Sequence, residues 1–148
     1  MPDDAELPYA MTLMVRDTCL CLHLQRAARA VARRFDAALR PFGLTNGQFS
    51  LLMSLNRPEP PGIGSVAALL AMDRTTLTAN LKPLERRGLV RVTVDREDRR
   101  SRRLILTPAG RTLLAAAVPA WRSTHAALDQ LLPRAAAAAL RADLRALS

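Results

Sequence analysis

Ser65-VAALLAMDRTTLTANLKPLERRGLVRVTVDREDRRSRRLIL-Thr107 decides how this chain is read. Ser65-VAALLAM-Asp73 has the pattern of a short apolar helix, with Ser65 as its expected cap. Asp73-RTTLTANLKPLERRGLV opens a second helix that Gly88 should end. Arg91-VTV-Asp95 and Leu104-IL-Thr107 are short β-like runs on either side of Arg96-EDRRSR-Arg103. Helix, turn, helix, strand, basic loop, strand is the order of a winged helix-turn-helix. That device seats one helix in a DNA groove and a hairpin beside it.

The second helix has two distinct faces. At 100° per residue Leu77, Leu81 and Leu84 share one side, and Thr75, Ala79, Lys82 and Arg86 fall opposite, flanked by Thr76 and Thr78. Small residues let a helix sit deep in a major groove, hydroxyls meet base edges, and Lys82 can reach guanine or phosphate. Arg74 adds charge at the helix start, where the backbone already favours phosphate. Asp73 fits an N-cap better than a DNA contact. Pro83 removes one backbone donor and should bend the axis beyond the reading residues. The loop from Arg96 to Arg103 holds five arginines in eight residues. Between two strands and behind such a helix, Arg96, Arg99, Arg100 and Arg102 are candidates for a wing in the minor groove. Asp98 is expected to pair with a neighbouring arginine side chain and fix the tip. The candidate DNA-binding residues are therefore Arg74, Thr75, Thr76, Thr78, Lys82, Arg86, Arg96, Arg99, Arg100 and Arg102.

Outward from this stretch the chain reads as mainly α with a small β wing. Residues 1–16 look like a loose arm, and the first helix is expected to start at a cap on Asp17 or Thr18. Leu20, Leu24, Ala27, Val31, Phe35, Ala38 and Phe42 then recur at helical spacing until Pro41-Phe42-Gly43. That stripe is wider than one small neighbour needs, so residues 17–44 are assigned to a dimer interface, together with residues 112–148. The DNA-binding lobe is placed at 45–111, opened by the capping box of Thr45 and Gln48. Ile63 is a candidate for a minor strand beside the wing. Thr107-Pro108 restarts a helix that Pro119 should loosen and Leu132-Pro133 should break.

The 148 residues carry a net charge of +9, almost all of it arginine, with Lys82 the single lysine. That excess favours a polyanionic partner. MPDDAELPYA lacks the basic start and apolar core of a secretion signal, so a cytoplasmic, non-membrane protein is expected. No Ser-His-Asp set, phosphate loop, zinc signature or paired carboxylates point to an enzyme or a cofactor. A non-specific architectural DNA protein would also suit the charge. Cys19 and Cys21, two apart in a helical pattern, should point to roughly opposite sides and so not bridge. Cys19 and His23 share a helix face and could hold zinc given a third ligand, but no clustered carboxylate lies beside them.

Asp73-RTTLTANLKPLERRGLV-Arg91, Asp95-REDRR-Ser101 and Leu104-ILTPAG-Arg111 together resemble the MarR family of bacterial transcription regulators. The likeness spans about residues 17–130. It implies a homodimer whose terminal helices interlock and whose two winged lobes read a pseudo-palindrome on double-stranded DNA. By the family pattern Arg100 enters the minor groove. A departure is Arg96, which stands where the family usually has proline. The resemblance further implies a repressor released by a small aromatic acid, by oxidation or by a metal. Cys21 matches the sensing cysteine of the organic-hydroperoxide branch, with Cys19 beside it. The two tyrosines that support the sensor there are Gln25 and Phe35 here. Cys21 thus stands open between redox sensor and ordinary buried residue. His23 and Trp121 are offered as lining for a ligand pocket.

Overall fold

The computed structural model describes residues 6–134 and 136–148. The elements run α1 (Tyr9–Thr18), α2 (Leu20–Leu39), a 3-10 turn (Arg40–Phe42), α3 (Asn46–Ser54), α4 (Ile63–Leu69), α5 (Arg74–Arg86), β1 (Val90–Val94), β2 (Arg102–Leu106), α6 (Pro108–Asp129) and α7 (Ala136–Ala146). They fall into two compact units, Met1–Arg34 and Phe35–Ser148.

In the first unit the structure corrects three expectations. The stretch read as an arm is helical from Tyr9, after Pro8 sets the entry with φ −63° and ψ 138°. Residues 1–5 of that arm lie outside the described residues. The next helix does not start on Asp17 or Thr18. Asp17 binds the Arg16 guanidinium, and the Thr18 hydroxyl turns back onto the Met14 carbonyl. Cys19 takes the cap position instead. Its backbone is extended (φ −68°, ψ 109°), its carbonyl accepts the His23 N–H, and its sulfur accepts the Leu22 N–H at 3.5 Å. The two cysteines therefore do not share one helix, and the argument that placed them on opposite sides does not apply.

The second unit holds the core. Leu39, Leu52, Val66, Leu77, Leu84 and Leu104 are fully enclosed, and Phe49, Leu51, Leu55, Leu81, Val90, Leu106 and Leu114 surround them. Each fully buried leucine contributes about 1.5–3 kcal/mol. With so few aromatic residues, this branched aliphatic packing replaces the large rings of other cores. Leu77, Leu81 and Leu84 are the buried residues of α5, as its periodicity requires. The Thr45–Gln48 capping box forms with both reciprocal bonds. It is tied to the end of α2 by Asp36, whose Oδ1 accepts from both the backbone and side-chain nitrogen of Asn46 (2.7 and 2.8 Å).

The start of α4 differs from expectation. The helix begins at Ile63 with Gly62 as cap, and the Ser65 hydroxyl donates back to the Gly62 carbonyl. The extra strand contact comes before Ile63, since Gly62 bridges Arg103 and Leu104 N–H donates to the Pro61 carbonyl. The turn after α4 passes through Ala71, which has φ +50°. Ala71 N–H donates to Ala68 and Met72 N–H to Ala67, the paired bonds of a Schellman end. Helical assignment runs without interruption through Pro83 in α5 and Pro119 in α6.

Two sequence pieces, around Gly88 and around Thr107, close on each other at the base of the wing. Gly88 ends α5 with φ +71°. The Thr107 hydroxyl donates to the Gly88 carbonyl at 2.6 Å, its N–H donates to the Leu89 carbonyl at 3.1 Å, and its Oγ1 accepts the Gly110 N–H. A Cβ on Gly110 would collide with the Leu89 carbonyl and sit 2.8 Å from Leu106 Cδ1. The pieces "RGLV" and "LTPAG" are thus one contact, with Gly110 there because backbone occupies the space. β1 and β2 pair antiparallel, Val90 with Leu106 and Val94 with Arg102, so Val90, Val92, Leu104 and Leu106 share the inward face.

Candidate nucleic-acid interface

The outward face of α5 is built from its first turn. Asp73 caps it by accepting the Thr76 N–H and the Thr76 hydroxyl, both at 2.8 Å. Those bonds, the amide first and the hydroxyl second, hold its carboxyl below the usual carboxylate range. Arg74, Thr75, Thr78, Ala79 and Lys82 then line one shallow depression of about 350 Å³. Five of these neighbours are thereby brought together on a convex helix with nothing larger than threonine or the two cation stems. Thr76 and Arg86 are exposed on the same helix but outside that depression.

The three threonines are not equivalent. The Thr76 proton is used on Asp73, and the Thr78 hydroxyl donates to the Arg74 carbonyl at 2.8 Å. Among the described residues the Thr75 hydroxyl has no such bond. Spacing alone could not rank them, because a cap and a back-bonded hydroxyl depend on rotamers.

The wing is ordered from its own backbone. Asp95 Oδ1 accepts the Glu97 N–H, Asp98 Oδ1 accepts the Arg100 N–H, and Ser101 N–H donates to the Asp98 carbonyl. Asp98 therefore fixes the tip through an amide rather than through an arginine side chain, which corrects the expected pairing. The ion pair of the hairpin lies where the loop leaves the strands: Arg103 meets Asp95 (Nη2 to Oδ2, 3.0 Å) and donates to the Pro60 carbonyl. The Glu97 amide first, and the Arg103 charge next, draw the Asp95 carboxyl below its ordinary value. Sequence reading missed this clasp; its one signal was the acid at the strand end facing a basic strand. Arg102 folds over the Arg99 and Ser101 carbonyls (3.2 and 3.3 Å). Arg96, Arg99 and Arg100 are exposed, and no ion pair engages them among the described residues. Arg87 also serves structure, donating to the Gly43 carbonyl at 2.8 Å.

A second concavity of about 550 Å³ lies between α3, α4 and α6, lined by Phe49, Met53, Leu69, Leu70, Val118, Trp121 and Arg122. Trp121 is at the centre of an aromatic stack, 6.4 Å from Phe35, 6.1 Å from Phe49 and 5.0 Å from the His125 ring. His23, in the other unit, donates from Nδ1 to the Cys19 carbonyl at 2.8 Å. The Cys21 sulfur accepts from Gln25 Nε2 at 3.1 Å, and Cys21 is exposed. Among the described residues no three His, Cys, Asp or Glu side chains gather as metal ligands, and no helix is long and apolar enough to cross a membrane.

Comparison with known proteins agrees with this geometry. The MarR family model matches residues 44–101, which hold α3, the helix-turn-helix and most of the wing. The HTH-type transcriptional regulator TtmR of Methylorubrum extorquens is 36% identical over 97 residues, 66% of this chain. The chain spans 50% of that relative's length. The crystal structure of the transcriptional regulator MosR of M. tuberculosis in complex with DNA superposes with a TM-score of 0.77 at 40% identity, covering 88% of this chain and 93% of MosR. CouR from Rhodococcus jostii RHA1, bound to p-coumaroyl-CoA, gives 0.74 at 28% identity, covering 84% and 87%. On this match and these relatives, the chain belongs to the MarR family of winged helix regulators.

Proposed function

We propose that the protein is a homodimeric repressor that binds a pseudo-palindromic operator and is released by a small aromatic ligand. The observation that carries the DNA reading is the joint presentation of Arg74, Thr75, Thr78 and Lys82 in one depression, behind a wing whose Arg96, Arg99 and Arg100 are unengaged among the described residues. Hydroxyls and small side chains suit base edges, and the arginines suit a narrow minor groove. MosR, whose structure was solved in complex with DNA, supports DNA as the partner. Arg100→Ala is expected to weaken operator binding with the fold intact, measured by titration of a duplex selected by the wild-type protein. Unchanged affinity would remove the wing from the interface. A specificity ratio near one at physiological salt would favour the architectural alternative, since specific binders exceed non-specific binding by about 10³ or more.

Dimerisation is supported by the helices outside the lobe. α1 (10 residues) and α7 (11 residues) bury no residue at all. Helices this short are marginal in water without a packing surface, and Leu7, Tyr9, Leu20, Leu131 and Leu147 are each more than half exposed. A second protomer is the natural cover.

The ligand reading rests on the cleft beside Trp121. Its volume falls within the range of about 300–1,000 Å³ typical of small-molecule sites. Its walls are mainly apolar, with Ser50, Ser54 and the single cation Arg122 among them, which suits an aryl group bearing an acid or thioester. CouR, solved with p-coumaroyl-CoA, is a relative with such a ligand. Trp121 is the only tryptophan, so its fluorescence reports occupancy directly. A redox switch is the second reading, favoured by an exposed Cys21 whose sulfur contacts Gln25, two residues from Cys19 at a helix break. Loss of operator binding under organic peroxide that Cys21→Ser abolishes would select it over the ligand.

A further inference from the structure

Gly64 stands in α4, one residue after the helix begins, where alanine has the better helix propensity. Its backbone does not require glycine, because the positive-φ glycines of the described residues are Gly43 and Gly88. What excludes a side chain is Arg74. A Cβ at position 64 would lie 2.9 Å from Arg74 Nη2, 3.7 Å from Cζ and 4.0 Å from Nε. Three atoms of the guanidinium group therefore rest over this glycine.

The contrast with Gly110 defines the role. There the obstacle is the Leu89 carbonyl, which is fixed backbone. At Gly64 it is the far end of a flexible side chain, which can swing away without disturbing the helix. Added bulk at 64 thus moves Arg74 and leaves the fold intact. The exposed guanidinium has no hydrogen bond or ion pair among the described residues, so no polar contact there competes with its packing over Gly64. Arg74 is also the first residue of α5 and borders the depression formed with Thr75, Thr78 and Lys82.

We infer that Gly64 is a positioning residue for DNA binding: it forms the seat on which Arg74 is held, ready for a phosphate at the start of the recognition helix. This rests on the reading of Arg74 as a DNA contact. An arginine fixed before contact loses less rotamer freedom on binding than one that is free. A side chain at 64 should therefore weaken binding through Arg74 alone.

The experiment compares wild type, Gly64→Ala, Arg74→Ala and the double variant on one duplex, chosen by the wild-type protein from a randomised pool. Unfolding temperature is measured alongside. Gly64→Ala should unfold at or above the wild-type temperature and bind about three- to tenfold more weakly. Arg74→Ala should bind more weakly still. The double variant should match Arg74→Ala, because the seat has no purpose once the arginine is gone. A weakened Arg74→Ala beside a Gly64→Ala that binds normally, or whose effect persists in the double variant, overturns the seat. An Arg74→Ala that binds normally overturns the Arg74 contact itself, and the seat with it.

Discussion

At the residue scale, the chain separates positions by what their neighbours are made of. Gly88 and Gly110 both resist substitution, for different reasons. A Cβ on Gly88 meets nothing within 4 Å, so Gly88→Ala carries only the left-handed backbone cost, about 1 kcal/mol. Gly110→Ala forces α6 off the Leu89 carbonyl, and overpacking of that kind costs about 2–3 kcal/mol or prevents folding. Urea unfolding of both variants checks the order, and a Gly110→Ala as stable as Gly88→Ala would contradict the close approach. The threonines give a second prediction. Thr75→Ala should change which bases are preferred, by about 1–3 kcal/mol at one position of a selected operator. Thr76→Ala should act chiefly on α5 itself, since its hydroxyl is already spent on Asp73. Binding measured on a panel of single-base variants distinguishes base readout from a uniform loss.

At the element scale, caps decide where the helices begin and end, and they bring pH into the fold. The Asp73 carboxyl is held below its usual range by the Thr76 amide and then the Thr76 hydroxyl. A carboxyl depressed in the folded state contributes stability that is complete above its unfolded value, about 4, and is lost as pH falls through the folded value. Unfolding free energy should therefore decline on acidification below about pH 4. Asp73→Asn keeps an N-cap oxygen and should flatten that part of the slope. Asp17, Asp36 and Asp95 are depressed in the same direction and contribute to a slope that remains. A pH dependence unchanged by Asp73→Asn would dissociate the cap from the acid transition. Similar chemistry explains the shifted start of α4. Ser65 was legible as a capping type, but its hydroxyl reaches the Gly62 carbonyl instead of an amide, so the cap falls three residues earlier.

At the scale of the whole molecule, the enclosed core and the uncovered helix faces lie on different elements. The enclosed leucines are concentrated around the lobe, whereas α1 and α7 leave their apolar residues uncovered. Removing residues 133–148 should give monomers with poor operator affinity, read by sedimentation and by titration on the selected duplex. A truncated protein that still dimerises and binds tightly would place the interface elsewhere. With a charge of +9, binding to DNA should be steeply salt-dependent. Each phosphate contact removed should reduce the slope of log K against log salt by about 0.9.

The sequence by itself determined the elements whose causes are local. The two faces of α5, the Thr45 and Thr107 caps, the strand pair and the basic loop follow from period, cap type and turn chemistry within a few residues. Family membership was legible for the same reason, because its motifs lie within one continuous stretch. Tertiary structure decided what local rules leave open. It assigned Arg103 to Asp95, withdrawing one arginine from a loop that looked uniform, and it tied Arg87 at the end of α5 to the Gly43 carbonyl. It turned Asp98 onto an amide, broke the helix at Cys19, and set Arg74 over Gly64. Each of these depends on a group brought close by the packing of another element or by a rotamer choice. A one-dimensional pattern carries the spacing of side chains along an element, but not which carbonyl, carboxylate or bare backbone the fold will set beside them.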